Sequence, residues 1–510
     1  MINQDTLKIK LADLVDYAKK NLSLRIEDES FVVNALLDLF KLGAPAQAED
    51  YKDFQTDIVD PIVDYAIESG MAKPEERILF ETRLLGIVTP MPSSVVDKFD
   101  TIAANKGIKA ATDFMYKLSV ANNYIRMVDI KKNIKWEHTG KFGKIGITIN
   151  LSKPEKDPKQ IAMAKLLPKT GYPSCLLCPE NVGFAGNLNH PARQTLRVIP
   201  VKLGGENWSL QYSPYQYYTE HVIALSNEHR PMNVTSDALF RLLDFVDLFP
   251  HYFIGSNAAL PIVGGSILTH DHYQGGSKVL PMFEVGERKN YTLPKFKNVK
   301  IAIANWYNSV VRVSGKNKFE VHEVASMVLD KWHDWTDESV GVISKTTEQH
   351  NAITPIARKE GDTYIIDMIL RNNRTDEAHP FGIFHPEERL HNIKKEGIGI
   401  IEVMGLFILP GRLKTELETV KEYLTGKQNL NLKELSNPEN PMSKHAQMIV
   451  QLVNDHGSNC EKVFADKVVT DYVNNACEQI LEYTAVFKND EKGQNAFEKF
   501  MLEGLGVKEA

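Results

Sequence analysis

A mixed α/β fold with helical regions at both ends is what this chain predicts, and three observations carry the expectation. Apolar residues recur at helical spacing through about the first 130 residues and again through the last eighty or so. Ile145, Ile147, Ile149 and Leu151 alternate strictly with polar or small neighbours, the pattern of a half-buried strand. From Tyr172 to about Val279 the chain is rich in Gly, Pro, Tyr and Asn between short apolar runs, which reads as antiparallel β structure.

Taken in order, Leu11, Leu14, Val15 and Ala18, then Val33, Leu36, Leu37 and Phe40, form helical stripes, the second ending at Gly43. Pro74-Glu75-Glu76 opens a further helix carrying Ile78, Leu79, Leu84 and Leu85. Pro90-Met91-Pro92-Ser93 marks a break, and helix resumes through Phe114 to Ile125. No chemistry is visible in this region, which reads as scaffold or lid. After the alternating strand, Asp157-Pro158 opens a short predicted helix through Leu167. Ser236 is expected to cap a helix bearing Leu239, Leu242, Leu243 and Val246, ended by Pro250. Strands are expected over Val299–Ala304 and Tyr364–Leu370, a helix over Val321–Trp335, and a buried apolar run over Gly397–Leu409. Met442–Val453 and Val463–Phe487 read as amphipathic helices.

Composition narrows the function classes. The 510 residues are 43% hydrophobic, enough for a large core, and the length prior suggests roughly three domains. A net charge of -6 gives no basic footprint, so nucleic acid is not an expected partner. The longest apolar run, near Gly397–Pro410, is short and interrupted by Glu402, so no membrane span is expected. The opening Met1-Ile2-Asn3-Gln4-Asp5 does not read as a signal peptide, and four cysteines in no disulfide-like framework suit a reducing cytoplasm.

Two motifs carry chemistry. Cys175-Leu176-Leu177-Cys178 has the spacing that lets two thiolates share a cation. Histidine is the natural complement, and His229 and His270 are expected to complete a closed, structural Cys₂His₂ site. A thioredoxin-like redox pair is the rival reading, but Pro173-Ser174 and Pro179-Glu180 supply no βαβ context. The second motif is His270-Asp271-His272-Tyr273-Gln274, framed by Gly264-Gly265 and Gly275-Gly276. On a strand, His270, His272 and Gln274 would share one face at the end of an apolar strand carrying Ile262, Val263, Ile267 and Leu268. With His270 spent on metal, His272 is free as a nucleophile toward phosphorus, provided its other ring nitrogen donates to a carbonyl. Gln274 can donate to a phosphate oxygen, and the paired glycines can open backbone N–H groups to phosphates. The bland alternative is a pair of structural histidines near a turn, with Gln274 a surface strand residue.

These residues resemble the galactose-1-phosphate uridylyltransferases of the histidine-triad superfamily. Beyond the two motifs, the resemblance rests on the run Asn181 to Pro191, on Tyr212-Ser213-Pro214-Tyr215, on Ser226-Asn227-Glu228-His229 and on Phe249-Pro250-His251-Tyr252-Phe253. Asn257, Ile262-Val263-Gly264-Gly265-Ser266 and Ile400-Ile401-Glu402-Val403-Met404-Gly405 complete it. The layout is similar to the second type of that enzyme. The first type has Pro between the two histidines, where Asp271 stands here.

The resemblance implies a histidine-triad-like fold of two related halves, each a mainly antiparallel open sheet with helices. Its regions would be an N-terminal helical region (1–130), a catalytic half (131–285), a second half (286–430) and a C-terminal helical region (431–510). It implies ping-pong transfer of UMP from UDP-glucose to galactose 1-phosphate, giving UDP-galactose and glucose 1-phosphate through a uridylyl-His272 intermediate supported by Gln274. Structural Zn²⁺ would sit on Cys175, Cys178, His229 and His270. Leu177, Asn181, Arg193, Arg197, Asn257, Gly264 and Gly265 would lie near the nucleotide, while Lys395 and Glu402 would serve the sugar phosphate across a homodimer. Some relatives hold a second metal, whose ligands would fall near Glu284, on His350 and on His385-Pro386-Glu387, where the relatives' motif has a second histidine in place of Glu387. The competing function classes are another nucleotidyltransferase, a metal-dependent hydrolase using His270 and His272 as joint ligands, and a non-catalytic zinc-stabilised binding module.

Overall fold

The computed structural model describes residues 2–152, 171–265, 267–395 and 397–510. The helix expected over Asp157–Leu167 lies outside the described residues. The chain divides into two compact units, Met1–Val128 with Pro154–Arg230, and Asp129–Lys153 with Pro231–Ala510.

The first unit begins with helices, as the spacing predicts: Gln4–Tyr17, Ile26–Phe40, Asp60–Glu68, Arg77–Val88, Pro92–Lys106 and Ile108–Ala121. Their stripes bury Leu7, Leu11, Leu14, Leu36, Ile62, Leu84 and Leu85. Asn3 caps the first, its Oδ1 accepting from the Thr6 amide at 2.8 Å. Gly107, at φ +85°, is the hinge between the last two. Two buried carboxylates lock the loops. Asp13 accepts from the Glu49 amide at 2.7 Å, and Glu81 pairs with Arg126 and accepts from Asn123. The unit continues into an antiparallel meander, Ile199–Leu203, Glu206–Tyr212 and Val222–Ser226, in the register Ile199 to Leu210 and Trp208 to Ser226. Tyr212 Oη donates to the Thr112 carbonyl at 2.9 Å and fastens the meander to the last helix.

The second unit is organised by an open antiparallel sheet whose strands neighbour one another in the order Lys508–Glu509, Glu287–Thr292, Val299–Ala304, Val310–Gly315, Thr363–Asn372, Asn351–Glu360, Phe253–Gly255 and His272–Gly276. A smaller sheet joins Ile134–Gly140, Gly143–Asn150 and Leu406–Pro410, its last pair parallel. The alternating isoleucines 145, 147 and 149 are buried in it. Helices Ser236–Leu248 and Lys318–Asp334 pack on the large sheet. Trp332 Nε1 donates to the carbonyls of Ala352 and Arg371 at 3.0 and 3.1 Å. The first of these helices is capped by Thr235, not Ser236: Thr235 Oγ1 accepts from the Ala238 amide at 3.3 Å. The C-terminal helices Ala446–His456, Lys462–Thr484 and Glu491–Lys499 complete the unit. They are stitched in by His138 against Glu478 at 2.6 Å and by Asn308 and Ser309 bonding to the segment 481–487. The fold is therefore mixed α/β with open, mainly antiparallel sheets.

One ion cluster lies inside this unit. Asp367 is fully buried and accepts from Arg312 Nε at 2.6 Å and from Arg358 Nη1 at 2.5 Å, all three on adjacent strands. Burial pushes its carboxyl up, but the Arg358 and Arg312 charges outweigh that and hold it below the usual range. Its contribution is thus present above the ordinary carboxylate pKa of about 4 and is lost only as pH falls through the lower folded value. Asp367→Asn leaves two buried guanidinium groups facing each other with only the exposed Glu360, 3.0 Å from Arg358 Nε, as a paired carboxylate. We expect about 3–5 kcal/mol of lost stability, seen as a lower thermal midpoint at pH 7. An unchanged midpoint rejects a stabilising role for the cluster.

Candidate active site

The first unit holds the thiols. Cys175 and Cys178 flank a tight turn that leads into the short 3₁₀ turn Pro179–Asn181. Their sulfurs lie 3.4 Å apart, neither is in a disulfide, and Cys178 Sγ is 3.0 Å from His229 Nδ1. The Leu177 amide points at Cys175 Sγ at 3.3 Å. Two sulfurs sharing a tetrahedral zinc at about 2.3 Å would stand about 3.8 Å apart, so the pair needs only a few tenths of an ångström to open around an ion. The soft thiols and an imidazole are the donor chemistry zinc prefers. Burial and the neighbouring Cys175 sulfur push the Cys178 thiol up to about 12, so a metal must displace a proton to bind there.

The second unit holds His270 and His272. The strand in this motif begins at His272, not earlier: residues 261–263 and 268–270 are turns, and Ile262 has φ +72°. The expected apolar strand running into His270 does not form, because Pro261 and the paired glycines favour turns over a ladder. His270 is fully buried in the preceding turn and His272 is 6% exposed at the first strand position. His272 Nδ1 donates to the His270 carbonyl at 2.7 Å. That bond fixes the tautomer and leaves Nε2 with a bare lone pair. Burial pushes the imidazole down to about 4, against a smaller upward pull from this bond, so the ring is neutral at physiological pH. Among the described residues His272 belongs to no group of gathered metal-ligand side chains, which tells against the joint-ligand hydrolase.

The strand His272–Gly276 pairs with Phe253–Gly255, setting Gln274 opposite Gly255 and Gly275 opposite Ile254. Gln274 shares a strand face with His272. The glycines serve packing: a Cβ on Gly275 would meet the Phe253 carbonyl at 2.1 Å, and one on Gly265 would meet Asn257 Nδ2 at 2.4 Å. Gly275→Ala is expected to cost about 1–3 kcal/mol by prising the two strands apart. A thermal midpoint equal to wild type would refute this.

Known proteins match this arrangement along its length. Residues 30–231 match the family described as "Galactose-1-phosphate uridyl transferase, N-terminal domain", and residues 245–438 match its C-terminal domain. A galactose-1-phosphate uridylyltransferase of Caldanaerobacter subterraneus is 50% identical over 487 residues, covering 93% of each chain. The chain belongs to the galactose-1-phosphate uridylyltransferase family. The family's Bacillus subtilis protein of the same name is 42% identical over 507 residues, covering 98% of each chain. Among solved structures, the yeast Ap4A phosphorylase Apa2 is similar at a TM-score of 0.33 and 13% identity, over 65% of this chain and 89% of that one.

The remaining residues singled out by the resemblance to this uridylyltransferase family take unequal places. Arg193 is half-buried, its guanidinium 5.7 Å from the Tyr124 ring, with one bond to the Ala192 carbonyl at 3.3 Å. Arg197 departs from its expected role as an anion partner. It donates to the carbonyls of Pro90, Gln194, Leu196 and Thr89, and burial pushes it down to about 10. It staples the loop to the preceding helix end. Asn181 is likewise engaged, with both neighbouring cysteine carbonyls. In the second unit, Asn257 Oδ1 accepts from the Ile400 amide at 2.9 Å. Glu402 is buried, caps Gly399 N at 3.1 Å and pairs with Lys394 Nζ at 2.8 Å. Lys395 is exposed, with Nζ 6.0 Å from the Phe381 ring. Sequence reasoning missed Lys394, whose buried ion pair could not be told from its exposed neighbour by residue type.

The second metal set is not assembled. His350 spends both ring nitrogens, on Asn373 at 3.0 Å and Thr346 at 2.7 Å, and Glu387 pairs with Arg389 at 2.7 Å. His385 Nδ1 bonds the Pro386 carbonyl at 3.1 Å. Among the described residues no ligand group gathers Glu284, His350, His385 or Glu387. No helix of the described residues is long and apolar enough to cross a membrane.

Proposed function

We propose that this protein transfers UMP from UDP-glucose to galactose 1-phosphate, with His272 as the nucleophile. The observation that carries the reading is the His272 imidazole, buried, neutral and donating Nδ1–H to the His270 carbonyl. Nε2 attacks the α-phosphorus; the P–O bond to glucose 1-phosphate breaks, and the electron pair leaves with that phosphate. A phosphate oxygen of galactose 1-phosphate then attacks the same phosphorus, and the P–N bond breaks to return the neutral imidazole. Gln274 donates to the non-bridging oxygen that gains charge.

Zinc held by Cys175, Cys178 and His229, with His270 as the fourth ligand, belongs to this proposal. When bound, the ion supplies a fixed anchor, not acid or redox chemistry. Among the chain's own residues, Arg193 suits a phosphate through its forked donors. Leu177, Asn257, Gly264 and Gly265 would border the nucleotide. Lys395 and Glu402 would meet the sugar phosphate, in an active dimer and a cytoplasmic setting. UDP-glucose labelled in its α-phosphate tests the reading. We expect acid-labile, base-stable label on the protein, discharged by galactose 1-phosphate. Turnover without labelled protein would exclude the covalent route.

A further inference from the structure

The run after the thiols folds back on itself. The Gly183 amide donates to the Arg193 carbonyl at 3.1 Å, the Arg193 amide to Phe184 at 2.7 Å and the Asn187 amide to His190 at 2.8 Å. Gly186, at φ +79°, lets the returning strand pass close, where a Cβ would strike the Ala192 amide nitrogen at 2.4 Å. The hairpin turns the His190 ring toward Asn181, its edge against Phe184 with centroids 5.2 Å apart. Asn181 is 1% exposed. Its Nδ2 donates to the Cys175 and Cys178 carbonyls, each at 2.8 Å, and its Oδ1 lies 2.6 Å from His190 Nε2. Two carbonyls accept from the amide nitrogen, so its oxygen faces the ring and Nε2 must carry the proton.

We propose that Asn181 and His190 are positioning residues for the C-x-x-C pair, a clasp that holds both cysteine backbones in the conformation the metal requires; the inference rests on the zinc reading above. One side chain gripping the carbonyls on both sides of the Leu176-Leu177 turn fixes the sulfur separation. His190 in turn fixes the amide. Outer hydrogen bonds of this kind typically contribute 10- to 100-fold in metal affinity. Asn181 is thereby moved from the expected nucleotide contacts to the support of the thiols.

The test uses the full-length zinc-loaded protein and reads zinc release to a chromogenic chelator. Asn181→Asp keeps the shape but turns a donor into an oxygen facing two carbonyls; it should release zinc about 10-fold faster or more. His190→Leu should accelerate release, and His190→Gln, whose amide can donate from the Nε2 position, should restore it toward wild type. Zinc-stripped Asn181→Asp loses the same two bonds, so its thermal midpoint should also fall; the gap from wild type should be wider in the zinc-loaded pair than in the stripped pair, which a purely structural role would not give. Release at the wild-type rate by both Asn181→Asp and His190→Leu overturns the inference. A raised KM for UDP-glucose with unchanged zinc release also overturns it, in favour of a nucleotide contact. Wild-type protein that carries no zinc brings down the metal reading, and this inference with it.

Discussion

His272→Ala is expected to lower uridylyl transfer at least about 10,000-fold and to abolish acid-labile labelling from UDP-glucose. The magnitude follows from the role: no other imidazole can take over when the attacking atom itself is removed. The folding cost is separable. His272 packs as a buried ring with one bond to its own chain at 2.7 Å, so truncation to Ala also opens a cavity. His272→Asn controls for this. Its amide can donate to the His270 carbonyl as Nδ1–H does, yet it offers no nitrogen lone pair toward phosphorus. The Asn variant should melt near wild type and be as inactive as the Ala variant. An active Asn variant would remove His272 from the chemistry.

Cys178→Ser should reduce bound zinc to well under one ion per chain and lower the thermal midpoint by several degrees. The hydroxyl is a poor substitute for a thiolate that soft metals prefer, and structural zinc contributes its binding free energy directly to folding, about 10–16 kcal/mol in small zinc-dependent peptides. A larger protein with its own core loses only part of that. Chelator treatment of wild type should reproduce the shift and zinc should reverse it, whereas the variant should respond to neither. Full zinc content in the variant would take Cys178 out of the metal centre.

The legible part of this molecule was the part written in local pattern. Alternation at Ile145, Ile147 and Ile149 and the helical stripes around Leu11 and Leu84 led to the elements observed, because each depends on one face being buried. The thiol pair was legible as part of a group that could hold a metal because residue type and spacing dictate that chemistry. The start of the strand at His272 was not, since turns before it satisfy apolar residues equally well. Nor was the allocation of donors. Arg197 is expected to contact an anion and Asn181 to lie near the nucleotide, yet the donors of both go to backbone carbonyls. Arg197 finds two of its partners more than a hundred residues away in sequence, beyond the reach of any window. His350 and Glu387 are each satisfied elsewhere, His350 by Thr346 and Asn373 and Glu387 by Arg389 two residues on.

The bond from His272 to the His270 carbonyl also bears on the direction of flux. On the proposed route, Nδ1 would keep its proton once Nε2 carries UMP, and the ring would bear a positive charge steadied by that carbonyl oxygen. A cationic imidazole departs from phosphorus as a neutral molecule, so the intermediate is an activated one that either sugar phosphate can discharge. The bond consumed and the bond formed overall are both phosphoanhydride links between UMP and a hexose 1-phosphate, so on this route the two directions would be chemically alike. On that route the protein would act as a reversible exchange valve, with the relative supply of the two sugar phosphates deciding which way UMP travels.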